Sequence, residues 1–346
     1  MPSLNLENLG DLVATTLKDL GRLRFTEIAT DLQNHVAMRN LLRKNRVEME
    51  SGYAIQWDVM VDHSHTSTNV GIAATDNVNI FDGMVQASTV MRNSTTNYAF
   101  DHREVQANQS PSRIVNLVQA RRIMAMISLA ELMETNFWGF PNASDTLTPL
   151  GIPYWVTKNA TEGFNGGTPT GYSTVAGLNT TTYPRWQNWT YQYTAVSRDD
   201  FIRHARQAAT KTDFMPPVDG IPTFNTGDSY GFYTNYSVIG QLEEAAESQN
   251  DNLGSDLASQ DGKTLFRRVP VTYVAKLDAD TTNPFYGLNW GVLKTWVMKG
   301  WWLRETNLPI TPNQHTVSSH HIDCTYNFVA RDRRRHFVLA TGTTYP

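Results

Sequence analysis

Residues 110–139 read SPSRIVNLVQARRIMAMISLAELMETNFWG. Ser110 is a residue type whose hydroxyl caps a helix start, and Pro111 suits the first helical position, where its missing N–H costs nothing. No glycine or proline follows until Gly139, and Pro141 lies just beyond. The spacing therefore predicts one unbroken helix over 111–138. At about 1.5 Å per residue it runs on the order of 40 Å. Its apolar positions are Ile114, Leu117, Val118, Ile123, Met124, Met126, Ile127, Leu129, Leu132, Met133 and Phe137. In the second half they occupy most of the circumference, so the helix has to be covered on more than one side. It reads as a spine rather than as a surface helix.

Upstream of the spine the period changes from helical to alternating. Tyr53, Ile55, Trp57, Val59 and Val61 face one way, and Ala54, Gln56, Asp58, Met60 and Asp62 the other. A returning strand is expected from Val85 through Ala87, Thr89 and Met91 to about Tyr98. Between them, 63–83 is polar, Asn- and Thr-rich, and offers no core of its own. A long hairpin of this kind is marginal alone in water, which predicts that it lies against another body, in particular another copy. Residues 1–52 read as an arm with two helical stretches. Leu4, Leu6, Leu9, Leu12, Val13, Leu17 and Leu20 mark the first, and Ile28, Leu32, Val36 and Leu41 the second. The basic residues Arg39, Arg43, Lys44 and Arg46 close it.

Downstream, 139–197 is rich in Gly, Thr, Asn, Tyr and Trp. A helix is expected from Ser197, its cap, to Thr212, with Asp199 and Asp200 in the first turn, where acids suit the helix dipole. An α/β-like section follows: strand Tyr230–Asn235, helix Ser237–Gln249, strand Val269–Lys276, then Tyr286–Met298. Alternation returns from Thr316 to Val329, and a last strand, Phe337–Ala340, follows the basic turn Arg331–Arg335. No internal repeat is evident. The class is α+β.

Composition narrows the function. The 346 residues are 40% hydrophobic and 18% charged, with a net charge of −4. Proteins that grip nucleic acid draw most of their affinity from a basic excess, so any contact with DNA is expected to be weak and non-specific. Cys324 is the single cysteine, so an intrachain disulfide is impossible. The start, Met1-Pro2-Ser3-Leu4, lacks the basic and apolar regions of a signal peptide. The Asn-x-Ser/Thr triplets at Asn93, Asn142, Asn159, Asn179, Asn188 and Asn235 are then chance products. No apolar run is long enough to span a bilayer. A reducing cytoplasm, or a particle assembled there, is the expected setting.

No P-loop, zinc-protease or nucleophile-elbow motif is present. Gly166-Gly167-Thr168-Pro169-Thr170-Gly171 lacks the lysine and following helix of a phosphate loop, and reads as a flexible loop. His63-Ser64-His65 could place both rings on one strand face, as metal sites sometimes need. With no cysteine or carboxylate cluster in support, a polar loop tip is the better reading, and His320-His321 are adjacent strand residues facing opposite ways. No metal, cofactor or catalytic residue is expected. Glu131 and Glu134 could pose as an acid/base pair, but ion pairing with basic groups is preferred; Asp199 and Asp200 enter as catalytic acids only under the polysaccharide-enzyme alternative. Trp296, Trp301 and Trp302 suit core or interface packing better than a glycan groove. Arg331-Asp332-Arg333-Arg334-Arg335 lacks interleaved aromatics for nucleic acid, and reads as a salt-bridge turn between subunits.

The order of arm, long hairpin, spine helix, α/β insertion and C-terminal strands resembles the Hong Kong 97-type fold of tailed-phage major capsid proteins. The stretches Asp11-Leu12-Val13-Ala14-Thr15-Thr16-Leu17, Thr95-Thr96-Asn97-Tyr98-Ala99-Phe100 and Asn159–Gly167 are similar to such proteins. Gln249-Asn250-Asp251-Asn252-Leu253-Gly254 and Arg267-Arg268-Val269-Pro270-Val271-Thr272 are too. The resemblance implies an N-arm over 1–52, an E-loop hairpin over 53–98 and a P-domain over 99–212. An A-domain over 213–300 and a return to the P-domain over 301–346 complete it. It implies hexamers and pentamers of this chain in the shell of a virion, assembled in the host bacterial cytoplasm around double-stranded DNA. Portal and scaffolding or decoration proteins are the implied partners, with no membrane. Contacts between copies are expected at Leu12, Leu17, Arg39, Arg43, Trp57, His63, His65, Asp76, Phe81, Arg121, Arg122, Glu131, Glu134, Arg333 and Arg334. Some relatives cross-link through an E-loop lysine; here no lysine stands between Lys44 and Lys158. About fifty residues precede the hairpin, so a separate scaffolding protein, or none, is expected. The alternatives are a polysaccharide-active or glycan-binding enzyme and another ring-forming virion protein.

Overall fold

A computed structural model describes residues 46–72, 80–107, 111–214, 230–247, 264–308 and 315–346, with His35. The expected helical arm lies outside them except for its last residues; Leu12, Leu17, Arg39 and Arg43 are therefore undescribed, as is Asp76. The chain runs through β1 (Arg46–Met49), β2 (Ala54–Met60), β3 (Met84–Val90) and β4 (Arg92–Asp101). Next come α1 (His102–Ala107) and the spine helix α2 (Pro111–Trp138), which has the expected bounds. It continues with α3 (Ile152–Trp155), β5 (Gly163–Gly166), β6 (Asn188–Gln192), a π-helical turn (Arg198–Ile202) and α4 (Arg203–Thr212). Then follow β7 (Tyr230–Thr234), α5 (Tyr236–Glu247), β8 (Leu265–Phe266), β9 (Val269–Tyr273) and β10 (Phe285–Asn289). The last elements are β11 (Leu293–Met298), β12 (Arg304–Leu308), β13 (Val317–Ala330) and β14 (Phe337–Ala340). Ser197 caps its helix as expected, its hydroxyl accepting the Asp200 N–H at 3.2 Å.

β13 organises a five-stranded sheet. β4 lies antiparallel along one edge, from Val317 against Asp101 to Tyr326 against Arg92. β12 and β11 share the other edge end to end, and β1 runs parallel to β11. The alternate residues Ile322, Cys324, Tyr326 and Phe328 of β13 share one core with Ala125, Leu129, Met133 and Phe137 of the spine. Strand period and helix period meet here: every second residue of one, every fourth of the other.

A seven-stranded sheet has the order β5-β6-β14-β10-β7-β9-β8. Its central strands β14, β10 and β7 are buried on both faces. Tyr286 and Leu288 of β10 join the core of the spine helix, where Trp138 meets Tyr286 at 6.1 Å between ring centroids. Phe285 faces the opposite core with Phe337, Leu339, Ala205 and Ala209 of α4, and Val238 and Leu242 of α5. Gly287 is required between them, since a Cβ there would sit 2.1 Å from the Phe337 ring.

Two expectations are corrected. The return strand does not run unbroken to Tyr98: only β3 pairs with β2, and after Met91 the chain enters the five-stranded sheet as β4. The sheets also cross the expected domain limits. β6 and β14, assigned to the spine-bearing part, lie in the seven-stranded sheet, whereas β11, assigned to the insertion, pairs with β13. Consecutive reading groups neighbours in sequence, but these sheets join strands far apart in the chain. None of the described helices is long and apolar enough to cross a membrane.

Candidate assembly surface

The hairpin divides into a root held by its own chain and an extension that the described residues leave exposed. Alternation along β2 buries Ile55 completely and half-buries Trp57 and Val59, while Ala87 of β3 is also fully buried. The Ser88 N–H donates to the Ala176 carbonyl at 2.9 Å, and Trp57 packs on the buried Trp155. The pairing closes at Val61 N–H to Gly83 O, 2.9 Å. A Cβ at Gly83 would stand 2.4 Å from the Asp62 carbonyl, so only glycine lets the strands approach at this neck. Beyond it the burial stops. Ile72 and Ile80 are almost wholly exposed, Val70 and Phe81 are exposed, and Met60 and Met84, the last pair before the neck, are exposed as well.

The spine helix repeats the pattern. While Ala125, Leu129 and Met133 are buried, Ile123, Met124 and Leu132 are exposed, Met124 by 63%. Met124, Ser128 and Leu132 follow one another at fourfold spacing along one outer stripe. Covering a large apolar side chain gains roughly 1.5–3 kcal/mol. Among the described residues nothing covers this stripe.

Among the expected contact residues, His63, His65, Phe81 and Arg122 are exposed, and Glu131 is half-buried. Arg122 Nε lies 3.2 Å from Glu305, which also accepts the Tyr98 hydroxyl. That hydrogen bond is the main cause holding the Glu305 carboxyl below its usual range; burial, with Glu305 beside it, pushes the Tyr98 phenol up to about 12. Arg121 is held by its own chain, its guanidinium reaching both Glu104 oxygens at 2.7 and 2.9 Å and the Ala99 carbonyl at 2.8 Å. Arg334 is partly exposed, pairs with Asp332 at 3.4 Å and lies over the Phe214 ring.

Glu134 and Arg333 are not at a surface, and their expected intersubunit role is corrected. Glu134 is buried and accepts the Trp138 indole N–H at 2.9 Å. Arg333 is 0% exposed. Its guanidinium donates to the carbonyls of Trp155 (2.7 Å), Trp186 (2.9 Å), Gly166 (3.1 Å) and Gly167 (2.9 Å), and to side-chain oxygens of Thr157 and Asn188. Burial pulls its pKa down to about 10. The supposed flexible loop is thus pinned at Gly166 and Gly167. No pattern in an arginine run separates a solvated turn from this inward hub.

Asp200, weighed as a catalytic acid, accepts from the Tyr191 hydroxyl at 2.6 Å, the Thr194 N–H and hydroxyl at 2.8 Å, and the Ala195 N–H at 3.2 Å. Burial opposes ionisation, but these bonds hold its carboxyl down to about 2. Its role is to fasten a loop. Lys158, the first lysine after the ribbon, is buried and bonded to Asp280, to Thr282 and to the Thr344 carbonyl. Burial lowers its pKa despite the carboxylate beside it. At the neck the sequence reading missed a group: the Asp62 carboxylate stands beside His63 and His65.

No protein-family model matches the chain, and neither does any curated protein sequence. Solved structures do. A chain of the cyanophage A-1(L) capsid asymmetric unit superposes with a TM-score of 0.62 at 17% identity, over 96% of this chain and 99% of that one. The capsid of an empty GTA particle gives 0.56 at 13% identity, over 94% and 98%. The SrpI encapsulin of Synechococcus elongatus gives 0.51 at 11%, over 95% and 96%. The chain has the Hong Kong 97-type capsid fold. Its hairpin, spine helix and two sheets are the parts of that fold, set out above.

Proposed function

We propose that this chain is the major capsid subunit of a tailed phage. It builds hexamers and pentamers of an icosahedral head enclosing double-stranded DNA, and its assembly takes place in the host bacterial cytoplasm. The observation that carries the reading is the end-to-end superposition on a cyanophage capsid chain, 96% of one and 99% of the other. The exposed apolar groups of the ribbon and of the spine stripe support it, because a repeated shell gives each of them a sister surface. Apolar burial supplies the strength, and charges such as Arg122 and Arg334 set register more than affinity. A net charge of −4 suits a wall that touches packaged DNA weakly. Portal, scaffolding and decoration proteins are the further partners of this reading. The ribbon lacks lysine and Lys158 is occupied with Asp280, so the shell holds by noncovalent contacts at this ribbon.

Electron microscopy of the purified chain tests the proposal. Closed shells of uniform size support it; a monomer or a single ring at high concentration contradicts it.

A further inference from the structure

Where the ribbon leaves the body, three metal-ligating side chains converge. Asp62, His63 and His65 each offer one ligand atom, and all these atoms lie within 4.8 Å of one another. The imidazole centroids of His63 and His65 are 3.8 Å apart, and Nε2 of His65 is 2.9 Å from Oδ1 of Asp62. The backbone makes this possible. His65 has φ +49°, a left-handed conformation that histidine adopts more readily than most residues. It turns the chain so that residue 65 comes back over residue 62. The His63 N–H donates to Oδ1 of Asp62 at 2.9 Å and orients the carboxylate. Nη1 of Arg185 lies 3.7 Å from the same Oδ1.

We propose that Asp62, His63 and His65 bind a divalent transition-metal ion of the zinc class, with water in the remaining position. Two imidazoles and a carboxylate suit zinc, nickel or copper, whereas magnesium and calcium want oxygen ligands throughout. Ligands about 2.1 Å from a tetrahedral zinc lie about 3.4 Å from one another. Closing the cluster therefore asks for movements of about 1 Å in exposed side chains. The bound ion fixes the turn at 62–65 and narrows the directions in which the extension leaves it. That turn is then set before the extension meets any partner, so the inference stands whatever that partner is.

The test is calorimetric titration of the full-length, chelator-stripped protein with zinc chloride, in the assembly state it adopts. The expected result is one ion per chain with micromolar affinity, weakened at least about tenfold in His63→Ala and in His65→Ala. Excess magnesium should not displace it. Arg185→Ala should bind zinc more tightly, because it removes a competing cation from Asp62 while leaving all three ligands. Circular dichroism verifies that each variant is folded. Zinc uptake equal in the wild type and the His63→Ala/His65→Ala double variant overturns the proposal, since the remaining histidines are common to both.

Discussion

The indole of Trp57 meets that of Trp155 with ring centroids 6.2 Å apart and planes inclined at 50°. Trp155 is completely buried and donates its N–H to the Phe328 carbonyl at 3.0 Å. The ribbon is thereby fixed at its root to the same core that holds the spine helix, and everything past Gly83 and Asp62 extends from that fixed point.

Removing 62–82 and joining Val61 to Gly83, an existing hydrogen-bonded pair, by an Asn-Gly turn, the favoured two-residue hairpin link, should therefore leave a folded subunit in the native register. The root contacts at Ile55, Trp57 and Ala87 all survive. Thermal melting of the variant should stay within a few degrees of an unassembled reference, while electron microscopy shows no stable shells. Normal particles from this deletion would remove the ribbon from the assembly account.

Charges placed on the outer stripe of the spine should separate folding from assembly. Met124→Glu and Leu132→Glu alter exposed positions, so subunit stability should change by no more than about 0.5 kcal/mol. Sedimentation should nevertheless show free subunits, because assembly would bury each carboxylate without a partner. Shells forming at the wild-type concentration would place this face outside any interface.

Arg333 should be among the least replaceable residues. Arg333→Met removes this donor from the carbonyls of Trp155, Trp186 and Gly166, while Gly167 keeps the Thr157 hydroxyl at 3.0 Å, and a buried unpaired group costs roughly 1–3 kcal/mol. The sum approaches the roughly 5–15 kcal/mol that stabilises an ordinary domain. Arg333→Lys should fail similarly, since one ammonium cannot span the fork. Soluble yield and melting temperature measure both. A lysine variant melting near the wild type would contradict the hub.

His336 should make the fold acid-sensitive. Its Nδ1 accepts the Asn289 N–H at 3.1 Å. Burial, reinforced by the charges of Arg333 and Arg335, drives its pKa from 6.5 down to about 3. The unfolded chain takes up a proton below 6.5 that the folded chain refuses until about 3. The stabilisation is complete above the unfolded value and is lost as pH falls through that window. From about pH 8 to pH 5 this group should remove about 2 kcal/mol. Urea unfolding of free Leu132→Glu subunits should show that slope, flattened when His336→Asn is added. An unchanged slope would contradict the assignment.

Local signals are what the sequence carries well. The spine bounds follow from Pro111 and Gly139, and β14 from a short apolar run bounded by the basic turn and Gly342. The break at Met91 is not legible, because alternation continues across it while the pairing partner changes from β2 to β13. The inward Arg333 and the Asp62 carboxylate at the histidines depend on backbone direction, which residue types alone leave open. Exposure of Met124 and Leu132 follows from the excess of apolar residues around the spine, more than the described residues cover.

Hydrogen exchange compares shells with free Leu132→Glu subunits at the places where a sister copy has to lie. Amides of 66–72 and 80–82 should be open in the free subunit and protected in the shell, with those of the hairpin root protected in both. Equal protection of the extension in the free subunit would show that the ribbon needs no neighbour, and would contradict assembly through it.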